Sequence, residues 1–193
     1  MPGPQSDRLI LSVVSDYLVS LPFDLKVLQE AVTDPDLDRP VRDIAAGTIV
    51  HTLLPQEGEK PFCYIDDVLL VRATFDLIRA RGGAEGFDGY RQRFSEIYDS
   101  LDRDLEIFSK GLGDNWKWLS AKLEGFPKLV LKGRRAAQYV DDDEGQSALY
   151  DEGLEFETNY TVTEEQVRNR LRRTEQVAEI IQKKRTEEAK KIG

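Results

Sequence analysis

The sequence predicts an all-α fold: a helical bundle of about six or seven helices, followed by an acidic arm and a long charged C-terminal helix. Three observations carry that expectation. Two apolar runs of helical length, Val41–Leu54 and Val68–Ile78, are joined by a short polar loop. Elsewhere apolar residues recur at spacings of three and four, the period of one helix face. Thr163-Glu164-Glu165-Gln166 has the pattern of a capping box, in which two otherwise unpaired N–H groups at a helix start are satisfied by side chains. The expected organisation is a bundle domain over residues 1–140, an acidic linker or strap over 141–162, and a charged helix over 163–193.

From Ser6 to Leu21, the residues Leu9, Ile10, Val13, Val14, Tyr17 and Leu18 keep helical spacing, with Ser6 as the candidate cap. Pro22 is expected to break this helix, because proline has no N–H for the ladder. A second helix, Asp24 to Thr33, follows it, then a turn over residues 34–38.

The hairpin comes next and organises the chain. Val41–Leu54 is apolar nearly all round, as a buried helix is. It is too short for a bilayer, which needs about 20 apolar residues. Asp38 and Pro40 suit its start, and Pro55 stops it. The partner helix carries an apolar body and a polar strip of Arg72, Asp76 and Arg79, spaced for ion pairing along its surface. Gly82 and Gly83 end it. Asp66 and Asp67 open this second helix, and two readings stand for them. One caps the helix while both complement its positive end. Alternatively, with His51, Glu57, Glu59 and Cys63, they make a metal or acid–base cluster. The first is preferred, because these candidates are scattered over a loop and lack the tight spacing of a metal site.

Leu53-Leu54-Pro55, then a short loop, then Ile65-Asp66-Asp67-Val68-Leu69 resembles the YkvA-like domain of unknown function, a small helical module. The family's loop carries P-x-D-x-x-P-D, whereas this chain has Pro55-Gln56-Glu57-Gly58-Glu59-Lys60-Pro61. The resemblance covers about forty residues, 41–80, and implies a helical fold without implying an activity.

Phe87, Tyr90, Phe94, Ile97, Leu101, Leu105 and Phe108 fall on one face of a long helix expected from Phe87 to Phe108, and read as core. A short helix with Trp116, Leu119 and Leu123 follows Asp114; Trp118 lies off its apolar face and is a candidate contact residue. Lys128–Val140 is read as helix. Its Lys128, Lys132, Arg134 and Arg135 suggest either a polyanion site or a solvated face balancing nearby acids.

Between Asp141 and Asn159 there are eight acids and no Lys or Arg, so the segment is read as a linker or as an extended strap held by Leu154, Phe156 and Tyr160. Its contiguous acids do not match a calcium-binding loop. The C-terminal helix is expected to run to about Lys190. Its narrow stripe of Val167, Leu171, Thr174, Ala178 and Ile181 alternates four and three, the spacing of a coiled-coil seam. From Glu164 onward the chain is +3, against −12 for the remainder. A two-residue seam is marginal alone, so something must cover it.

Function is bounded mostly by exclusion. A net charge of −9 disfavours nucleic acid and anionic lipid. Cys63 is the only cysteine, so no intramolecular disulfide forms; with no leader-like N-terminus and no long apolar run, a cytoplasmic soluble protein is expected. No nucleotide-binding, nucleophile-elbow or metal-ligand motif is present, and no cofactor is expected. The expectation is a non-catalytic interaction or adaptor protein that binds a protein partner, or itself, through Val167, Leu171, Thr174, Ala178, Ile181 and Trp118. The alternatives are a metal-dependent protein using Asp66, Asp67, His51 and Glu57, and a peripheral membrane protein.

Overall fold

The computed structural model describes residues 4–173 and 175–192. Among these it is an all-α bundle of nine helices with one two-stranded hairpin. The first helix, α1, is unbroken from Pro4 to Thr33 and carries Pro22 inside it. Two helices were expected here, with Ser6 as a cap; Ser6 instead lies within the single helix. The chain repairs the gap itself. Pro22 has no N–H to give to the carbonyl one turn back, that of Leu18, and the Tyr160 hydroxyl donates to that carbonyl instead.

The central hairpin forms as expected. Helix α2 (Arg39–Leu53) has proline in its first turn and stops before Pro55, and α3 (Ile65–Arg81) runs to the Gly82–Gly83 pair. Ile49, Val50, Val68, Leu69, Leu70 and Phe75 are all essentially solvent-free. Gly47 permits the close approach of the 122–128 turn: a Cβ there would lie 2.6 Å from the Phe126 backbone. The polar strip of α3 is corrected in part. Arg79 pairs with Asp76 at 2.5 Å, but Arg72 is buried and meets Asp24 of α1 at 2.5 Å, its guanidinium 3.4 Å from the centre of the Tyr17 ring.

The aromatic run splits into α4 (Ala84–Arg93) and α5 (Ser95–Leu112), turning at Phe94. The bend lets Tyr90, Phe94 and Tyr98 cluster, with the Tyr90 hydroxyl reaching the Val27 carbonyl at 2.7 Å. Helix α6 (Asp114–Ala121) follows. Residues 128–140 are not one continuous helix: β1 (Val130–Leu131) and β2 (Arg134–Arg135) pair antiparallel across Lys132-Gly133, both at positive φ, and Ala136–Val140 forms a short 3₁₀ helix. A two-residue hairpin turn needs that backbone, and glycine supplies half of it.

The acidic segment is not an extended strap either. It is α7 (Asp143–Asn159), started by the Asp142 carboxylate, which accepts from the Gly145 N–H at 2.7 Å. Asp143 and Glu144 in its first turn sit favourably at the positive helix end. The C-terminal segment forms two helices rather than one. The capping box at Thr163 and Gln166 is present and opens α8 (Glu164–Arg170); α9 is Glu175–Ile192. Between them the Gln176 side chain accepts from the Arg172 and Arg173 N–H groups at 2.9 and 2.8 Å, and so holds the break. Among the described residues no helix is long and apolar enough to cross a membrane.

Candidate functional site

The end of α2, the Phe62–Tyr64 turn and the start of α3 gather the residues that the sequence offers for chemistry. His51 Nδ1 lies 2.9 Å from Asp67 Oδ1, and the imidazole stacks on Phe126 with ring centres 4.8 Å apart. Asp67 is fully buried, and its second oxygen has no hydrogen-bond partner. Burial, reinforced by the neighbouring Asp66 charge, pushes the Asp67 carboxyl above the usual carboxylate range, while the hydrogen bond from His51 opposes the rise.

Asp66 is also buried, and it forms an ion pair with Lys184 of α9. The same ammonium donates to the Cys63 carbonyl at 3.2 Å. Neither aspartate caps α3, which begins at Tyr64 without a side-chain cap. Both still place negative charge in its first turn. Burial, then the Asp67 charge, pushes the Cys63 thiol up, away from the thiolate form that reacts.

The structure therefore brings together His51, Asp67, Asp66 and Cys63, and leaves Glu57 and Glu59 outside. Glu57 is exposed on the loop, and Glu59 pairs with Arg170 at 2.7 Å. Among the described residues no three His, Cys, Asp or Glu side chains converge as a metal cage requires. An imidazole oriented by a carboxylate is a general-base arrangement in outline. Here Phe126 covers the ring, and none of the surface grooves described below is lined by His51, Asp66 or Asp67.

The residues read as a partner-binding seam lie mostly inside the molecule. Val167 and Leu171 are buried and line the floor of a groove between α8 and α1; Ile181 is buried on α9, which packs against α3 and α6. Val177, which lies outside that stripe, is fully buried. Ala178 is half-buried and lines a groove with Asn115. Trp118 is half-buried beneath the Lys122 ammonium, 4.8 Å from its ring centre. Thr174 lies outside the described residues. The seam is covered by the chain's own helices.

The apolar surface that remains open was not singled out in the sequence. Val19 and Phe23, one turn apart on α1, are 42% and 59% exposed, and Val19 borders the α1–α8 groove with Leu11, Val167 and Leu171. Their signal was the helical spacing itself, hidden by reading Pro22 as a break. On α7, Tyr150 and Leu154 are 47% and 36% exposed.

In the basic patch of residues 128–135, Lys132 pairs with Glu152 of α7. Comparison with protein-family models, curated proteins and solved structures finds no match.

Proposed function

We propose that this chain is a cytosolic, non-catalytic interaction protein, and that it binds a protein partner through the face that α1 and α8 form together. One observation supports the reading above the others: Val19 stands exposed at the edge of a groove floored by buried Val167 and Leu171, with exposed Phe23 one turn further along α1. Large apolar side chains grouped beside a concave apolar floor are the usual anatomy of a contact site. The contact uses two members of the seam expected from the sequence, but as the floor of a groove rather than as a free helix stripe. Asp16, Glu164 and Arg168 rim the groove and supply polar matching for a partner.

The experiment places a photo-crosslinking phenylalanine analogue at position 23 of the full chain in its native cell. The expected result is one discrete protein adduct, lost when Val19→Glu is added, and no adduct from the same analogue at Asp99 on α5. No adduct at position 23, or equal adducts at both positions, would remove this reading.

A further inference from the structure

A second surface carries a more specific partner chemistry. Helix α7 lies along α1, and Pro22, Leu25, Lys26, Gln29, Tyr150 and Leu154 are among the residues lining a narrow cleft between them. Tyr150 and Leu154 sit one turn apart and form an apolar wall. Acids surround that wall. Asp143, Glu144, Asp151 and Glu155 are exposed and take part in no ion pair among the described residues, whereas Glu152 and Glu157 are matched by Lys132 and Lys26. No Lys or Arg lies between Asp141 and Asn159 to compensate the charge.

The cleft itself has room for about one water molecule. Gln29 is only 7% exposed; its amide N–H donates to the Gln146 carbonyl at 3.1 Å, and its Oε1 has no partner. That oxygen is shut off from solvent, so a docked side chain meets the outer face of α7 and not this acceptor. The exposed apolar pair and the unpaired carboxylates next to it on α7 together suit one kind of side chain. A long aliphatic stem that ends in an ammonium can lie along Tyr150 and Leu154 and present its charge to the exposed Asp151 and Glu155.

We propose that the outer face of α7 docks an amphipathic helix whose apolar stripe is flanked by lysines. This surface rests on the reading of the chain as an interaction protein, but is separate from the α1–α8 face. α7 is 17 residues long, so a helix of similar length matches it end to end. Opposite charge across the contact speeds encounter and fixes register, and the apolar pair holds the docked helix. High salt weakens such a contact by screening the exposed acids.

The test titrates full-length protein into a fluorescently labelled synthetic Leu/Lys amphipathic helix of about 18 residues, comparable in length to α7, and follows anisotropy. The wild type is expected to bind at roughly micromolar concentration. Tyr150→Ala with Leu154→Ala, and separately Asp151→Lys with Glu155→Lys, should each weaken binding about tenfold or more. An equal charge reversal on α5, Glu96→Lys with Asp99→Lys, should change it less than about threefold. A peptide with Glu in place of Lys should not bind.

Absence of binding, no effect of the apolar pair, or an equal loss from the α5 reversal would each overturn the proposal. Any of these, obtained while the adduct at position 23 persists, would remove the α7 surface and leave the interaction reading standing.

Discussion

The α2–α3 junction and the outer face of α1 and α7 are opposites. At the junction, carboxylates sit where apolar side chains are expected: Asp66 and Asp67 are 4% and 0% exposed. On the outer face, Val19, Phe23, Tyr150 and Leu154 are exposed where polar groups are expected. The inward polar groups are mostly met from within, by His51 and Lys184. The outward apolar groups have no such counterpart. A buried polar group explained by its own neighbours is a structural device, and an exposed apolar group with no neighbour asks for a partner. At the junction, the residues most suggestive of chemistry in the sequence tie α2 and α9 to α3, and the proposed contacts lie on the surface.

The comparison breaks most decisively at the C-terminus. Removing residues 163–193 takes away Val167, Leu171, Val177 and Ile181, all buried against other helices. At about 1.5–3 kcal/mol for each fully buried side chain of this size, the loss is comparable to the whole stability of a typical domain. The Lys184 anchor goes as well, leaving Asp66 buried and unpaired. The truncated chain is expected to lose cooperative thermal unfolding and to bind a hydrophobic dye. If it melts like the full chain, α8 and α9 are appendages, and the seam is available to a partner after all.

Next in size is the buried Arg72–Asp24 pair. Asp24 is buried, and burial raises its pKa against the opposing pull of Arg72. Arg72→Met leaves that carboxylate without its partner and is expected to cost about 3–5 kcal/mol. Adding Asp24→Leu should recover most of the loss, because both buried charges are then gone. Chemical denaturation of the two variants checks it; a double variant as unstable as the single would mean that the Tyr17 stack, rather than the ion pair, carries the site.

A smaller effect tests the repair of Pro22. Tyr160→Phe removes the hydroxyl that serves the Leu18 carbonyl and should cost about 1 kcal/mol. Pro22→Ala restores the helical N–H, so in that background the Tyr160→Phe cost should shrink toward zero. Additive costs in the double-variant cycle would show that the hydroxyl does not compensate for the proline.

These residues also show what was legible in the sequence. The α2–α3 hairpin was, because a run apolar on every side admits few alternatives to burial. The capping box was, because its partners are three residues apart. The continuity of α1 was not, because its repair comes from a residue 142 positions from Leu18. The acidic stretch looked like a linker or a strap because charge counts miss Leu149, which is fully buried. At the junction His51, Asp67, Asp66 and Cys63 were singled out together, since they lie close in the chain. Lys184 was not, being 118 positions from Asp66. Sequence reasoning sees local periodicity and near-neighbour chemistry, and misses donors delivered by the fold.

The smallest effect lies in the pH dependence of the junction. The Asp67 carboxyl is raised by burial and by Asp66. Its unfolded counterpart titrates near the ordinary value of about 3.9. Between that pH and the raised native value, the folded state keeps a proton that the unfolded chain has released. Stability from this group is therefore present at low pH and falls as pH rises through the window. Asp67→Asn keeps an oxygen that can accept from His51 but cannot titrate, so its urea midpoint should fall less than that of the wild type as pH rises from about 4. Asp24 shifts in the same direction, so part of the wild-type slope survives the substitution. Parallel curves for the two proteins would mean that Asp67 ionises freely within the fold, and the junction would then be an open site rather than a sealed one.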